Sequence, residues 1–288
     1  MGIIGLLFSI YFLLLLVRAI IPDTGQISFN RPYRLIVRLT EPVITVLARI
    51  FPGRSRRPAP VLGMLLLVLL NGVLYSGDTG RESGFFSCGI SRWAFVTTAP
   101  FWGVGKSFAH YFILIYRFLA LLLAVTLLSP LTSASDQVSR LVKSLLQPVL
   151  NSPWRRWTAA AAIPVIVTSM IILLRELYQA VGWLEGEGIN PAGAFLDSLA
   201  LLVQLFTVVV YLLIFRAVIS WFPAIRGAGG PLSWLEFFTE PFLRPFRRLG
   251  LSPGSIDLTP LAAIFVIIIG QKILLSILGE IYTALPGV

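Results

Sequence analysis

The feature that most constrains this chain is a series of six apolar segments, each long enough to form a membrane-spanning helix. A helix needs about 20 mostly apolar residues to cross the hydrocarbon core of a bilayer. Only 12% of the 288 residues are charged, whereas soluble domains carry about 25%. The sequence therefore predicts an all-α, polytopic transmembrane protein. Its predicted spans are Ile3–Pro22, Pro60–Gly77, Phe108–Leu128, Ala159–Leu177, Ser198–Trp221 and Leu258–Tyr282.

The connections between these segments differ sharply in basic charge. Connections 23–60, 129–158 and 222–257 carry 15 Lys and Arg residues, whereas the connections on the other side carry four. Because basic loops stay in the cytoplasm, we expect these three connections to be cytoplasmic and both termini to lie outside. No charge precedes Arg18, so we interpret the first segment as a retained helix rather than a signal peptide.

The first and last parts of the chain share an internal repeat. Arg18 precedes Thr40-Glu41-Pro42 by 22 residues, and Arg216 precedes Thr239-Glu240-Pro241 by 23. A second proline, Pro60 in the first copy and Pro260 in the last, follows 18 or 19 residues later and opens the next span. Two matching intervals around an identical tripeptide indicate a repeat of two helices with a cytoplasmic connection, in which all copies have one orientation.

The middle of the chain resembles a degenerate third copy. Arg117 is followed by Gln147-Pro148 and then by Pro164, with glutamine where the other copies have glutamate. The aromatic, glycine-broken segment before it suits the outer membrane interface or a re-entrant loop. We therefore divide the chain into a first repeat at 1–80, an outer interfacial segment at 81–107, a degenerate repeat at 108–180 and a second clear repeat at 198–288.

The repeated Thr-Glu-Pro motif has the chemistry of a helix start. Threonine can cap a helix N-terminus, proline is tolerated in the first turn, and glutamate there complements the helix dipole. Asp257 and Pro260 repeat this chemistry before the last span. The surrounding stretches, 43–51 and 232–248, are amphipathic and basic. They predict helices lying in the cytoplasmic headgroup plane, with a loop packed on the bundle as the alternative.

Charged and polar residues inside the spans are the next candidates for function, because burying them in lipid is costly. Arg18 and Arg216 could extend to the headgroups, or each could pair with the glutamate of its own repeat, Glu41 or Glu240. Lys272 and Glu280 could form a buried pair in the last span. Asn71, Arg175 and Gln271 each lie 11 residues after a repeat proline and could occupy equivalent positions, although interhelical hydrogen bonds also explain them. Arg117 and His110 lie deeper, on a leucine-rich helix.

These residues together resemble the YggT family, called YlmG in some lineages. The resemblance in the first repeat runs from Phe29 to Pro42 and is less complete than in the last repeat. There it covers Arg216-Ala217-Val218-Ile219-Ser220-Trp221, the Thr239–Arg248 stretch with Arg244, Arg247 and Arg248, and Ile256–Pro260. It implies a small integral protein of a bacterial plasma (inner) membrane or a plastid. Family members are linked to cell division, plastid nucleoid organisation, attachment of cofactors to cytochromes, and osmotic or potassium stress, without an agreed biochemical activity.

Two classes of function remain open from the sequence. We expect no enzymatic activity and no cofactor, because the sequence contains no nucleophile–base pair, phosphate loop or metal-ligand cluster. The basic amphipathic connections favour a membrane scaffold or assembly factor. Its partners would be anionic lipid headgroups and a membrane or cytoplasmic protein, with a homo-oligomer possible and no nucleic acid. The parallel repeat and the polar residues in spans support the alternative, a small channel or transporter.

Overall fold

The computed structural model describes residues 3–20, 31–49, 58–77, 84–128, 153–186, 190–220, 231–248 and 258–285. The predictions on Gln147, Pro148 and Asp257 lie outside these ranges. The described helices are α1 Ile3–Ile20, α2 Arg31–Ala48, α3 Ala59–Gly77, α4 Trp102–Leu128, α5 Pro153–Ala180, α6 Pro191–Ser220, α7 Pro231–Arg247 and α8 Thr259–Ala284. Two strands, β1 Phe85–Cys88 and β2 Ser91–Ala94, form a hairpin between α3 and α4.

Five of these helices, α3, α4, α5, α6 and α8, are long and apolar enough to cross a membrane. The first predicted span corresponds to α1, which has 18 residues and is shorter than the others. Helices α2 and α7 are instead amphipathic, as the connections that contain them predicted. The protein is therefore an all-α polytopic membrane protein.

The hairpin lies in the segment that the sequence analysis interprets as an outer interfacial or re-entrant stretch. The turn between β1 and β2 contains Gly89, whose φ of +68° suits glycine. Beyond β2, Phe95 pairs antiparallel with Leu184, which follows α5. Trp93 is almost fully buried and packs edge-on against Tyr178 of α5. These contacts join residues about 80 positions apart, and a period within the hairpin could not have revealed them.

The chain divides into two compact units. The first comprises Met1–Cys88, Arg92–Tyr116 and Leu173–Gly188, and so contains the first repeat. In its core, Leu15 and Phe12 of α1 pack with Ile44 and Leu47 of α2. The ring of Phe12 stacks on Tyr111 of α4, with 4.3 Å between the ring centroids.

The second unit comprises Gly89–Ser91, Arg117–Ile172 and Ile189–Val288, and contains the last repeat. Helix α6 packs against α8 along much of its length, and α7 packs on both. Val209 and Leu213 of α6, Leu243 of α7 and Ala263 of α8 form the buried cluster where the three helices meet.

The structure corrects the prediction that Thr-Glu-Pro restarts a helix. Pro42 lies inside α2 and Pro241 inside α7, so both motifs are in the interior of a continuous helix. Proline in a helix interior removes one backbone hydrogen bond and is normally destabilising. Pro42 is exposed, so the carbonyl that its missing N–H would have bonded lies on the side of the amphipathic helix where water can replace the bond. Pro60 and Pro260 do have the predicted place, in the first turns of α3 and α8.

Candidate functional site

In the first unit, an ion pair joins the amphipathic helix to the apolar helix that precedes it. The Arg18 guanidinium of α1 lies 2.8 Å from the Glu41 carboxylate of α2. The side chain of Arg18 is only 7% exposed, and that of Glu41 is 35% exposed. Of the two sequence hypotheses for Arg18, the structure therefore has the pair and not an arginine extended to the headgroups.

The second unit repeats this pair and adds a hydrogen bond. Nη2 of Arg216 lies 3.2 Å from Glu240, and Nη1 of Arg216 donates to the Thr239 hydroxyl at 2.6 Å. The other carboxylate oxygen of Glu240 accepts from Arg247, which is one turn or more further along α7, at 2.8 Å. Glu240 thus bridges an arginine of α6 and an arginine of its own helix. Because charge-assisted bonds are among the stronger polar contacts, this network fixes the rotation of α7 about its axis.

The threonine of each motif is fully buried and hydrogen-bonded within its own helix. Thr40 donates to the carbonyl of Ile36 at 2.8 Å, and Thr239 donates to the carbonyl of Leu235 at 2.6 Å. These are bonds to the carbonyl four residues back, which threonine makes in helix interiors and which often bend the helix. The two units therefore share the same geometry: buried threonine, glutamate beside it, and an arginine from the preceding helix.

Exposed arginines lie beside these pairs on both α2 and α7. Arg34, Arg38 and Arg49 are exposed on or next to α2, and Arg244 and Arg248 are exposed on or next to α7. We call these two sets the basic faces. An open groove of about 620 Å³ on α2 is bordered by Arg34, Arg38 and the paired Glu41, and its apolar wall is Val37, Pro42 and Val46. Apolar surface between arginines is the chemistry of a site for anionic, partly apolar ligands.

Comparison with known proteins finds a similarity in the second unit. Residues 194–278, which lie entirely in the second unit and include its Arg–Glu pair, match the CCB3/YggT family model. This part of the chain is similar to the CCB3/YggT family. An uncharacterized protein of Haemophilus influenzae is 28% identical over 148 residues, which are 51% of this chain and 78% of that protein. No solved structure matches the chain significantly.

The middle part of the chain uses its arginine differently. Arg117 of α4 donates to the amide oxygen of Gln204 in α6, and the Gln204 amide nitrogen donates to the Gly89 carbonyl at 3.1 Å. The copy that contains Arg117 has Gln147 where the other copies have glutamate, so the same Arg–Glu ion pair cannot form there. The structure connects this arginine to the hairpin turn through a neutral side chain.

The three residues that lie 11 positions after a proline have different surroundings. Gln271 of α8 donates to the Thr207 hydroxyl of α6 at 2.7 Å, which is an interhelical hydrogen bond. Asn71 is buried in α3, and its amide nitrogen has no hydrogen-bond partner within the described ranges. Arg175 is half-buried in α5. The interpretation as an interhelical hydrogen bond therefore holds for Gln271, but not for the amide nitrogen of Asn71.

The predicted buried pair of Lys272 and Glu280 is wrong. Both side chains are exposed on α8, and they form no ion pair with each other. Eight residues of helix separate the two positions by about 12 Å along the axis, further than these side chains span comfortably. Each charged group therefore faces outward from α8 independently.

Sequence reasoning missed Asp197, a carboxylate that accepts hydrogen bonds on both oxygens. It is fully buried near the start of α6. One oxygen accepts from the backbone N–H groups of Ile90 and Ser91 at 2.8 Å, and the other accepts from the Ser91 hydroxyl at 2.6 Å. The predicted span began at Ser198 and left this residue outside. Proline is a common first residue of a helix. A predicted span that began at Pro191 would have included Asp197.

Proposed function

We propose that this protein is a non-enzymatic membrane scaffold of the bacterial inner membrane, oriented with both termini outside and both basic faces toward the cytoplasm. The observation that carries the proposal is the repeated Arg–Glu pair. In two separate units, the same three residue types fix a proline-containing amphipathic helix to the preceding apolar helix. A helix whose rotation is fixed presents its arginines in a constant arrangement, which lowers the entropy cost of binding a partner.

The charge on the basic faces supports two kinds of contact. A basic residue near an anionic membrane surface contributes about 1 kcal/mol, so the exposed arginines of α2 would hold this helix against anionic headgroups. The exposed arginines of α7 lie next to an ion-pair network that already includes Arg247 and Glu240. We infer that the α7 face serves a protein partner with an acidic surface, because arginine forks recognise carboxylates with defined geometry.

The test is purification of the full chain in mild detergent from its native membranes, followed by mass analysis of the proteins that co-elute. We expect a stoichiometric partner that is lost in the double variant Arg244→Glu/Arg248→Glu. The matched control is Arg92→Glu, an exposed arginine of β2 on the predicted outer side. Retention of every co-eluting protein in the α7 variant, or equal loss in the control, would contradict the scaffold proposal.

A specific observation also favours the second candidate, a small channel or transporter. Arg117, Gln204 and the Gly89 carbonyl form a continuous polar chain inside the second unit, running from one span to another and to the hairpin turn. Polar side chains within spans are typical of ion and substrate pathways. Ion flux into liposomes that contain only this protein, abolished in Gln204→Leu, would favour this candidate over the scaffold.

A further inference from the structure

Helix α8 is an apolar helix whose outer side carries a lysine. Only 6% of its most apolar window is buried within the protein, against 39% for α6. Its contacts with the rest of the second unit come from one side, through residues such as Ala263, Ile264 and Ile267. Lys272 is exposed on a different side.

Lys272 lies close to the middle of the helix. It follows Thr259 by 13 residues and precedes Ala284 by 12, so about 20 Å of helix lies on one side of it and about 18 Å on the other. A lysine side chain reaches about 6 Å, which is less than half of the distance to either headgroup layer in a hydrocarbon core about 30 Å thick. Extension along the helix therefore cannot bring this ammonium group to the membrane surface.

Lys272 belongs to a stripe that repeats along one side of the helix. At 100° per residue, Phe265, Lys272, Ser276 and Thr283 fall within an arc of about 40°, and all four side chains are exposed. We call these four residues the Lys272 face. Gly279 lies beside it, and a methyl group added to this glycine would meet no atom within 4 Å. Besides the apolar Phe265, this face carries small, hydroxylated and cationic residues, a mixture that resembles a surface that packs on another helix.

We propose that the Lys272 face binds a transmembrane helix of a partner protein that carries a carboxylate at mid-membrane depth. The charge at Lys272 requires an acceptor inside the bilayer, since an unpaired ammonium group there is costly. A carboxylate supplies both the opposite charge and the hydrogen-bond acceptors. Ser276 and Gly279 allow the partner backbone to approach closely on the same side. This proposal goes beyond the scaffold function and does not depend on the basic faces.

A second copy of this chain fits the Lys272 face less well. In a symmetric dimer within one membrane the two α8 helices would be parallel, and each Lys272 would face the other at the same depth. Glu280, the acid on this helix, lies about 12 Å further along the axis. Like charges at one depth disfavour this arrangement, so the occupant that matches the charge is a different helix.

The test uses a designed probe and the full chain in phosphatidylcholine liposomes. The probe is a single-span helix of leucine and alanine, about 22 residues long, with one glutamate at its centre and an acceptor dye. Energy transfer from a donor dye on the protein measures association. We expect the glutamate probe to bind about tenfold more tightly than an all-leucine probe, as one interhelical polar pair allows.

Variants of Lys272 separate this pairing from general helix association. Lys272→Leu should abolish the preference for the glutamate probe, and Lys272→Arg should retain it. Lys272→Glu should reverse the preference in favour of a probe with a central lysine. The neighbouring exposed residue supplies the control, Ile273→Leu, which should behave like the unchanged protein. Because Lys272 is exposed, none of these changes removes a contact within the described chain.

Three outcomes would overturn the proposal. The first is equal binding of the glutamate and leucine probes, which also results if another part of this chain covers the Lys272 face in the membrane. The second is a preference that persists in Lys272→Leu. The third is Lys272-dependent energy transfer between two copies of the protein without a probe, which would assign the face to self-association. The scaffold proposal is tested separately by the α7 arginine variants, so either proposal can fail alone.

Discussion

At the scale of single residues, buried polar side chains make contacts that no short sequence motif contains. Asp197 lies more than 100 positions from the hairpin turn whose backbone it holds. The contact requires glycine at position 89 for two reasons. The φ of Gly89 is positive, and a side chain there would collide with the Asp197 backbone. The carboxylate thus acts as a structural acceptor for a turn that would otherwise bury two unpaired N–H groups.

Replacing Asp197 tests this role. Asp197→Ala leaves the N–H groups of Ile90 and Ser91 without their acceptor, and each buried unsatisfied donor costs about 1–3 kcal/mol. We expect a clear decrease of the thermal unfolding midpoint in detergent. Asp197→Asn keeps an acceptor oxygen and should lower the midpoint less. Glu185→Gln, an exposed acid in the same part of the chain, serves as the control, and a similar decrease there would contradict a specific role for Asp197.

A close approach of two helices gives a second prediction at the residue scale. A Cβ on Gly103 of α4 would overlap the Ser76 hydroxyl and the Gly72 carbonyl of α3. We expect Gly103→Ala to destabilise the protein by about 1–3 kcal/mol, the usual cost of overpacking. Gly270→Ala in α8 has open space around it, and should leave stability unchanged or raise it by up to about 1 kcal/mol. Thermal unfolding of the two variants compares them directly, and a reversed order would refute the close contact.

At the scale of secondary-structure elements, the Arg–Glu pair decides how an amphipathic helix attaches to its repeat. Arg18 has little exposure and forms an ion pair with Glu41, whereas Arg216 is more exposed and also bonds Thr239. Removing Glu240 therefore leaves Arg216 with an acceptor, and removing Glu41 takes away the carboxylate from a nearly buried guanidinium. The same motif should contribute different energies in the two units.

A pair of double-mutant cycles measures this difference. For Arg18→Met and Glu41→Gln we expect a coupling of about 1–2 kcal/mol, between the values of exposed and buried pairs. For Arg216→Met and Glu240→Gln we expect less than about 1 kcal/mol, because the pair is more exposed. If the effects of the two single substitutions in the first unit on the free energy of unfolding are additive, the pair contributes no interaction energy. The double variant Arg216→Glu/Glu240→Arg exchanges the two charges. It should recover part of the stability that each single substitution removes.

At the scale of the whole molecule, the orientation in the membrane follows from the charge of the connections. The prediction places the hairpin segment outside and the end of α7 in the cytoplasm. The native Cys88 is fully buried, so single cysteines introduced at exposed positions can be labelled against a low background. Thr98 and Arg248 are both exposed and provide one position for each side.

Labelling of intact cells with a membrane-impermeant maleimide checks the orientation. Thr98→Cys should react in intact cells. Arg248→Cys should react only after the membrane is permeabilised, because the basic connections stay in the cytoplasm. Labelling of Arg248→Cys in intact cells would reverse the orientation and remove the basic faces from the cytoplasmic partners proposed for them.

The apolar runs and the spacing of the repeats were sufficient to predict most of the fold. Length and hydropathy identify helices that cross a bilayer, because the hydrocarbon core demands about 20 apolar residues whatever their neighbours are. The two matched intervals also raised the pairing of each arginine with the glutamate of its own repeat, as one of two hypotheses for these arginines.

Only the tertiary structure decided the features that depend on distant neighbours. Thr-Glu-Pro has the composition of a helix start, yet packing of the surrounding apolar residues continues the helix through Pro42 and Pro241. The hairpin and its bonds to Asp197 join parts of the chain that no local period connects. The outward position of Lys272 was likewise hidden, because helical spacing shows which residues share a face, and only packing shows which face is covered.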